Sequence, residues 1–338
     1  MFKLKKVLVA DIGGTNCTLA ILNKDLKIIV KKKYSSQQIS NFGDIINNFL
    51  RENKCKITDA CFGVAGPIND DGKLVKGTNI HWTVNIDVLK KETKLKRILL
   101  INDFEAIGHA VNTLDVNNPE KIKVLNPGKE RKGPIVIIGA GTGLGVSYLI
   151  EKNRRYLYMV SEGGHSTMVL ENKDDYDFRE FLKNEKKISN PDLEDSLSGR
   201  GISNIFDYFL KYSRIKIESS LLKKINDSYD KSATIAMNAS KDKLCSMSMQ
   251  LFIKYYARAV RNIAVTFLPA KIFIAGGIAS KNMGLFLDKN FLREYTNHKN
   301  NQLRKILSDI PIYAVLDYEV SLYGCANAIL NYQNYKDC

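Results

Sequence analysis

Two glycine-centred hairpins with matching residues, one in each half of the chain, constrain the fold most. Val7–Leu22 reads VLVADIGGTNCTLAIL and Ile135–Ile150 reads IVIIGAGTGLGVSYLI. In each segment a β-branched apolar run reaches a glycine-rich turn, and a second apolar run follows at once, which is the pattern of strand, turn and strand. Because the hairpins lie at matching depth in the two halves, the sequence predicts two related domains that face each other across a cleft.

Both turns have the composition of a phosphate-binding loop. Glycines let backbone N–H groups approach an anion closely, and a hydroxyl adds a further donor. The first turn, Gly13–Asn16, follows Asp11, and the second is Gly141–Gly143. Neither is a P-loop, because no Gly-Lys-Ser/Thr follows, and Leu144 stands where the last glycine of a dinucleotide fingerprint would fall. One such turn is more often an ordinary β-turn. Two of them, one with an acid that can hold Mg²⁺ through water, favour nucleotide binding.

Length, charge and cysteine content exclude several classes of protein. A chain of 338 residues suggests about two domains. The net charge of +15 comes from scattered lysines without interleaved aromatics or a nucleic-acid-reader motif, so we expect no nucleic-acid partner. The uncharged run Ile135–Ile150 is too short and too glycine-broken to span a bilayer, and Met1–Lys6 does not begin a signal peptide. The six cysteines show no C-x-x-C or metal spacing, which predicts reduced thiols in a cytoplasmic protein.

Apolar periodicity predicts alternating strands and helices in both halves, and this alternation indicates two α/β domains. Besides the two hairpins, we expect strands at Leu26–Tyr34, Asp59–Ile68, Arg97–Ile101, Tyr156–Met159, Lys271–Ala275 and Ile312–Leu316. We expect helices at Asp44–Glu52, Ile86–Leu95, Phe104–Leu114, Leu244–Phe267 and Leu322–Tyr332, and a mainly helical insertion from Asp174 to about Tyr229. The segment Asp115–Gly133, rich in Asn, Pro and Lys, is the expected connection between the halves.

Polar residues follow two predicted strands and offer groups that bind hydroxyls. Asn102 and Asp103 come at the end of the strand Arg97–Ile101, where α/β proteins place ligands, although Asp103 could instead only cap the next helix. Glu162 and His165, in EGGH, place a carboxylate and an imidazole on a turn that could equally be an ordinary solvated turn.

Two further motifs also have both a functional and a structural interpretation. Glu194 precedes Leu197-Ser198-Gly199 and could be a first-turn acid favoured by the helix dipole. Gly276-Gly277 ends a strand and could receive a flat ring, or could mark a helix N-terminus packed close to a strand. Since carboxylates and amides are the usual partners of vicinal hydroxyls, the motifs together suit a kinase acting on a polyhydroxy compound.

Seven motifs in order, DIGGTN, FGVAGPI, LINDF, GTGLG, EGGH, E-x-x-LSG and IAGGI, resemble the bacterial-type glucokinase family of the actin/hexokinase/Hsp70-like ATPase superfamily. The resemblance extends from Lys6 to about Leu330. It implies an α/β fold of two ribonuclease-H-like, actin-like ATPase domains flanking a cleft, the larger second domain carrying a helical insertion. The implied small domain is 1–114, completed by a C-terminal helix at about 318–338, and the large domain is 115–317.

The resemblance also implies an activity and its residues: ATP-dependent phosphorylation of D-glucose at the 6-hydroxyl, with Asp103 as general base. Mg²⁺ accompanies ATP and is held by Asp11, through water; the partners are glucose and MgATP, and the family suggests a homodimer. The implied sugar-binding residues are Asn102, Asp103, Glu162, His165 and Glu194. The implied nucleotide-binding residues are Asp11, Gly13, Gly14, Thr15, Asn16, Gly141, Thr142, Gly143, Gly276 and Gly277.

Two rival functions stay open from the sequence. A non-catalytic sugar sensor would keep Glu162, His165 and Glu194. It could lose Asp103 or a phosphate loop, and this chain keeps both. A kinase for another hexose, or for an N-acetylated one, is harder to distinguish from a glucose kinase. The choice between epimers depends on which sugar hydroxyls find hydrogen-bond partners in the pocket. The chain departs from the family at Asp317–Gly324, and Trp82 is interpreted either as a sugar-side aromatic or as a core residue.

Overall fold

The structure is a computed structural model that describes residues 6–331 except 67, 70, 77–79 and 153–154. Pro67 of the FGVAGPI motif and residues 332–338 therefore lie outside the described residues. The chain divides into two compact units. The first comprises Met1–Leu114, Glu151–Tyr158 and Tyr318–Cys338, and the second comprises Asp115–Ile150 and Met159–Asp317.

Strands and helices alternate through both units. The strands are β1 (Lys6–Ile12), β2 (Asn16–Asn23), β3 (Ile28–Ser35), β4 (Asp59–Val64), β5 (Leu74–Lys76), β6 (Thr83–Asn85), β7 (Arg97–Asn102), β8 (Ile122–Asn126), β9 (Ile135–Ala140), β10 (Leu144–Lys152), β11 (Arg155–Ser161), β12 (Lys271–Ala275) and β13 (Ile312–Val315). The helices are α1 (Phe42–Glu52), α2 (Ile86–Glu92), α3 (Asp103–Val111), α4 (Lys173–Asn184), α5 (Gly199–Tyr212), α6 (Ser219–Asn226), α7 (Lys231–Asn238), α8 (Lys243–Phe267), α9 (Gly277–Lys281), α10 (Met283–Leu287), α11 (Lys289–Thr296), α12 (Asn301–Ser308) and α13 (Val320–Leu330).

The first unit is a five-stranded sheet in the order β3-β2-β1-β4-β7, with helices on both faces. The hairpin strands β1 and β2 are antiparallel, whereas β1, β4 and β7 are parallel to one another. Side chains alternate between the faces, so Leu8 and Ala10 belong to the core that includes residues of α1 and α2. Val7 and Val9 belong to the core formed with α13. Each such buried aliphatic side chain stabilises the fold by about 1.5–3 kcal/mol relative to its exposure.

The second sheet has six strands in the order β11-β10-β9-β12-β13-β8, of which β9, β12, β13 and β8 lie wholly within the second unit. The central strand β9 is buried along its whole length, which explains its continuous apolar run. The 25-residue helix α8 carries a buried guanidinium, Arg258, that pairs with Asp175 at 2.7 Å and Glu294 at 2.6 Å. This ion cluster joins α8 to α4 and α11.

The structure confirms most predicted elements and corrects some. Strand β12 begins and ends where predicted, and α8 and α13 lie within two residues of their predicted starts. The predicted connection Asp115–Gly133 begins where the second unit begins, and it contains β8, a strand that was not predicted and that pairs antiparallel with β13. The short hairpin β5–β6 and the helices between Gly277 and Ser308 were not predicted. Among the described residues, no helix is long and apolar enough to cross a membrane.

Candidate active site

The first glycine loop is braced through its carbonyl groups. Gly13 accepts a 2.6 Å hydrogen bond from the Ser36 hydroxyl, Gly14 accepts one of 3.2 Å from the Gln37 amide, and Thr15 accepts one of 3.0 Å from the Ser36 N–H. Three consecutive carbonyls are therefore directed at the 3₁₀ turn that follows β3. A loop held in this way presents its other backbone groups for an anion, as phosphate-binding turns do.

Trp82 belongs to this brace. Its indole N–H donates a 2.9 Å hydrogen bond to the carbonyl of Ser36, and its ring stacks on Phe42 at a centroid distance of 5.2 Å. The side chain is buried in the core below α1 and α2. Of the two interpretations of Trp82 that the sequence left open, the structure places it in the core, where it holds the turn that supports the loop.

A cavity of about 620 Å³ opens beside the first loop, and its lining residues all belong to the first unit. This volume is in the range of small-molecule sites. The lining residues are Asp11, Gly13, Gly14, Thr15, Asn16, Thr18, Lys31, Lys33, Tyr318, Glu319 and Leu322. The cavity thus combines the complete glycine loop with acidic and basic side chains and the beginning of α13.

Asp11 lies at the carboxyl end of β1 and accepts a 2.7 Å hydrogen bond from the Ser321 hydroxyl. Burial raises the pKa of Asp11, and the hydrogen bond from Ser321 partly offsets this. Among the described residues no group of three or more His, Cys, Asp and Glu could hold a metal ion. Mg²⁺ commonly keeps several waters and uses one or two carboxylates together with substrate phosphates. The residues here fit that kind of binding rather than an all-protein cage.

Asn102 is the residue that caps α3. Its side-chain oxygen accepts a 2.8 Å hydrogen bond from the N–H of Phe104, and Glu105 reaches back to the Asn102 N–H in a capping box. Its amide nitrogen lies 3.4 Å from the carbonyl oxygen of Gly66. The alternative in which Asp103 only caps the helix is therefore wrong, since Asp103 is the first helical residue.

The half-buried carboxyl of Asp103 is the strongest candidate proton acceptor in the first unit. Burial raises its pKa, and the charge of Asp11 raises it further, while the 2.9 Å hydrogen bond from the Phe104 N–H lowers it. Strands β1 and β7 flank β4 in parallel, so Asp11 and Asp103 lie at the same edge of the sheet. A carboxylate with a raised pKa is a stronger base than one in water.

In the second unit, Glu162 and His165 flank a 3₁₀ turn that follows β11. The Nδ1 atom of His165 lies 2.8 Å from the carboxylate of Asp192, which can only accept, so Nδ1–H donates. This hydrogen bond is the main cause of the raised pKa of His165, and the charges of Asp192, Glu194 and Glu162 add to it. The half-exposed ring therefore keeps Nε2 for a ligand.

Glu194 joins this turn to the second glycine loop. Its carboxylate accepts a 2.9 Å hydrogen bond from the Leu144 N–H and one of 3.2 Å from Arg200, and its own N–H donates to the Gly164 carbonyl. The first-turn interpretation of Glu194 is wrong, because α5 begins only at Gly199 and has no acid in its first turn. Its carboxylate instead lies against Gly143.

The second loop and the Gly276-Gly277 pair lie at the carboxyl ends of the neighbouring parallel strands β9 and β12. Gly276 has φ +90° and caps α9, and a Cβ at this position would lie 2.5 Å from the carbonyl oxygen of Ala140. Only glycine permits this approach. The pair is therefore a helix start packed against a strand, and the space beside Gly277 is open, whereas the binding of a flat ring there stays a prediction.

The structure groups the predicted residues by unit. Asp11, the first loop, Asn102 and Asp103 share one edge of the first sheet, and Glu162, His165, Glu194, the second loop and Gly276-Gly277 belong to the second unit. Sequence reasoning missed the residues that hold these groups or line the cavity with them, namely Ser321, Asp192, Arg200, Lys31 and Lys33. No local motif marks them, and Ser321, Asp192 and Lys31 contact partners that are distant in sequence.

Known proteins resemble this chain over nearly its whole length. A glucokinase of Nostoc punctiforme is 32% identical over 339 residues, covering 95% of this chain and 97% of that protein. Among solved structures, a glucokinase from an Antarctic psychrotroph has a TM-score of 0.81 at 24% identity, covering 97% and 100% of the two chains. A Balamuthia mandrillaris glucokinase in complex with glucose has a TM-score of 0.75 at 20% identity, covering 97% and 94%.

These structural likenesses show that the chain has the fold of these two solved proteins. The family model described as Glucokinase matches residues 8–332, which is nearly the whole chain. The chain belongs to the glucokinase family.

Proposed function

We propose that this chain transfers the γ-phosphoryl group of ATP to the 6-hydroxyl of D-glucose, giving glucose 6-phosphate and ADP, with Asp103 as general base. The observation that carries the proposal is the position of Asp103: a half-buried carboxyl of raised pKa, at the sheet edge it shares with Asp11 and the first glycine loop. Membership in the glucokinase family supports the substrate assignment.

Phosphoryl transfer depends on positioning and charge neutralisation more than on covalent help from the protein. Asp103 would orient the 6-hydroxyl and accept its proton as the oxygen bonds to phosphorus. Asn102 is fixed by its capping box, so its amide is a rigid hydrogen-bonding group next to that carboxylate. In the second unit Glu162, Glu194 and the Nε2 of His165 would hold the other sugar hydroxyls, since carboxylates accept and imidazole donates or accepts.

The nucleotide side is assigned to the glycine loops. Backbone N–H groups of Gly14, Thr15 and the Gly141–Gly143 turn would contact phosphates, and Gly276-Gly277 would lie against the adenosine. Mg²⁺, when bound with ATP, would neutralise charge on the phosphates, and Asp11 would hold it through water. The exposed Thr15 and Asn16 side chains line the same cavity and supply further hydrogen-bonding groups.

Two alternatives are weaker on specific grounds. A sugar sensor has no need of a carboxyl with a raised pKa beside a braced phosphate loop, and this chain has both. A kinase for another hexose is disfavoured by the family, and a structural neighbour of this chain contains glucose. Free cysteines at five described positions are compatible with the cytoplasm, where ATP and Mg²⁺ are supplied. The homodimer stays a prediction, tested by sedimentation.

A sugar panel tests the proposal. ADP release is measured with glucose, mannose, fructose, N-acetylglucosamine and N-acetylmannosamine at saturating MgATP. We expect the highest kcat/KM with glucose and only slow release without sugar. No turnover with any of the five sugars contradicts the kinase assignment. A higher kcat/KM with an N-acetylated sugar contradicts the glucose assignment while leaving the transfer chemistry in place.

A further inference from the structure

We propose that Lys33 binds a terminal phosphate of the nucleotide and is thus a further substrate-binding residue of this reaction. The inference rests on the proposed function, because it assumes that the cavity beside the first glycine loop receives ATP. It concerns a residue of β3 that lies outside every motif of the glucokinase resemblance.

Strand register places Lys33 on the same face as Asp11. Asp11 pairs with Thr18 across β1 and β2, and Thr18 pairs with Lys33 across β2 and β3. Residues directly opposite each other in antiparallel strands project to the same face, and neighbouring strands lie roughly 5 Å apart. The three side chains therefore form one row across the sheet. All three line the cavity that contains the glycine loop.

The face in question is the one covered by α13. Val9 and Ala20, two positions along β1 and β2 from Asp11 and Thr18, pack in the core formed with that helix. Ser321 of α13 donates to Asp11, which places the start of the helix beside the row. Lys33 thus lies on the same face as Asp11 and the start of α13, next to the loop, rather than on an unrelated outer surface.

A second lysine of the cavity is already paired. Lys31, two residues earlier on the same face of β3, forms an ion pair with Glu319, the residue that precedes α13. Lys33 has no ion-pair partner among the residues the structure describes. Its exposed ammonium is therefore free for a ligand, whereas that of Lys31 is held by a carboxylate.

A polyphosphate needs positive charge beside it, and the cavity supplies little. Its two lysines are matched by two acids, Asp11 and Glu319, and Lys31 is already paired with Glu319. The ionised carboxylate of Asp11 would repel phosphate oxygens unless a cation lies close. Mg²⁺ would supply part of that charge. The Lys33 ammonium, a compact point charge with three donors, supplies the rest.

Lys32 provides a matched control in the same strand. Its neighbours Val30 and Tyr34, on its own side of β3, pack against the opposite core of the sheet. Lys32 pairs with Glu52 of α1 at 2.8 Å. Replacement of Lys32 or of Lys33 by methionine removes the same charge and keeps a similar stem, but only Lys33 lines the cavity.

The test measures binding rather than turnover. Isothermal titration gives the Kd of MgADP and of AMP for the wild type, Lys33→Met, Lys33→Arg and Lys32→Met, with thermal melting to confirm that each variant folds. We expect Lys33→Met to weaken MgADP by about tenfold, as for one charge-assisted contact, with AMP changed by less than about twofold. Lys33→Arg retains the charge and restores most of the affinity, and Lys32→Met leaves both ligands unchanged.

The inference is overturned if Lys33→Met leaves MgADP binding unchanged, if it weakens AMP as much as MgADP, or if Lys32→Met has the same effect. A variant that loses affinity for glucose 6-phosphate but not for MgADP assigns Lys33 to the sugar phosphate and also overturns it. Because the titration needs no catalysis, it is separable from the proposed function. A wild type that binds MgADP but phosphorylates no sugar would contradict the function and not the role of Lys33.

Discussion

The hydroxyl of Ser321 donates a 2.7 Å hydrogen bond to the carboxylate of Asp11. One residue ends the first strand of the chain and the other lies in the first turn of its last helix. The bond thus makes the C-terminal helix part of the candidate metal side of the site. The hydrogen bond also lowers the pKa of Asp11 and so partly offsets burial, which raises it.

Ser321→Ala tests this relationship. Without the hydroxyl the pKa of Asp11 rises further, because the hydrogen bond that lowers it is lost. We expect the Mg²⁺ concentration for half-maximal activity to increase by several-fold, with about 1 kcal/mol of stability lost. The acid limb of the pH–rate profile should move to higher pH. Ser308→Ala, on the exposed side of α12, is the control and should change neither quantity. An unchanged Mg²⁺ dependence in Ser321→Ala contradicts the role of this bond.

The raised pKa of Asp103 has a consequence for stability. A carboxyl whose pKa is higher in the folded than in the unfolded chain destabilises the fold when it ionises. The free energy of unfolding should therefore fall as pH rises from the ordinary value, 3.8, through the raised one. Asp103→Asn, which keeps an acceptor for the Phe104 N–H, removes this term and should be more stable than the wild type at pH 7 and equal to it below pH 3.8.

Denaturant unfolding at several pH values measures this effect. Asp44→Asn is a matched control, since Asp44 is also a first-turn helical acid but is exposed. The Asp44→Asn substitution should not stabilise the protein at pH 7. If Asp103→Asn destabilises the protein at pH 7, burial of the charge is not the dominant influence on the pKa of Asp103.

The hydrogen bond between His165 and Asp192 predicts a second decrease of stability with rising pH, because it stabilises the charged form of the imidazole. Because the folded pKa of His165 is raised above 6.5, the pair contributes stability that is fully present below that value and is lost as pH rises through the folded pKa. Asp192→Asn should lower the pKa of His165 and remove this stability. NMR titration of the imidazole measures the shift, with His81, His109 and His298 as internal references. No change in the His165 pKa contradicts the interpretation.

Arg258 should matter for stability alone. Its guanidinium is almost fully buried and pairs with Asp175, Glu171 and Glu294. Arg258→Met removes the cation paired with the buried Asp175 and with Glu294, and loss of one partner of a buried ion pair costs about 3–5 kcal/mol. We expect a large fall in the denaturation midpoint. Arg293→Met, exposed on α11, is the control and should leave the midpoint within about 0.5 kcal/mol. Equal stability of Arg258→Met and the wild type would show that the cluster is not required.

Sequence reasoning reached the fold class and most long elements, because their apolar periods are strong. Strand β12 and helix α8 have uninterrupted patterns bounded by clear signals, such as Asp242 before α8. The helices between Gly277 and Ser308 are five to eight residues long. Such short helices span too few turns for apolar residues to show the helical period of 3.6 residues clearly. Strand β8 was missed because its lysine and asparagine content resembles a loop, and its pairing with β13 is a tertiary effect.

The candidate site was predictable where function imposes local motifs and not where it depends on tertiary contacts. Gly13-Gly14 and Gly276-Gly277 stand out in the sequence as glycine pairs beside apolar runs, and Gly276 requires glycine because of its φ of +90° and its close approach to Ala140. Ser321 donates to a residue 310 positions away, so no spacing rule could identify it. Lys33 was part of a lysine run that looked like a solvated face. Only the register of β3 separates it from Lys32.

The most direct test of the account is formation of glucose 6-phosphate, followed by ³¹P NMR, by the wild type and by Asp103→Asn at saturating MgATP and glucose. The account predicts stoichiometric glucose 6-phosphate and ADP from the wild type. It predicts transfer slower by about two to four orders of magnitude in Asp103→Asn, with glucose affinity changed by less than about threefold. Near-normal transfer by Asp103→Asn would remove Asp103 as the general base, and the absence of glucose 6-phosphate from the wild type would contradict the glucokinase activity itself.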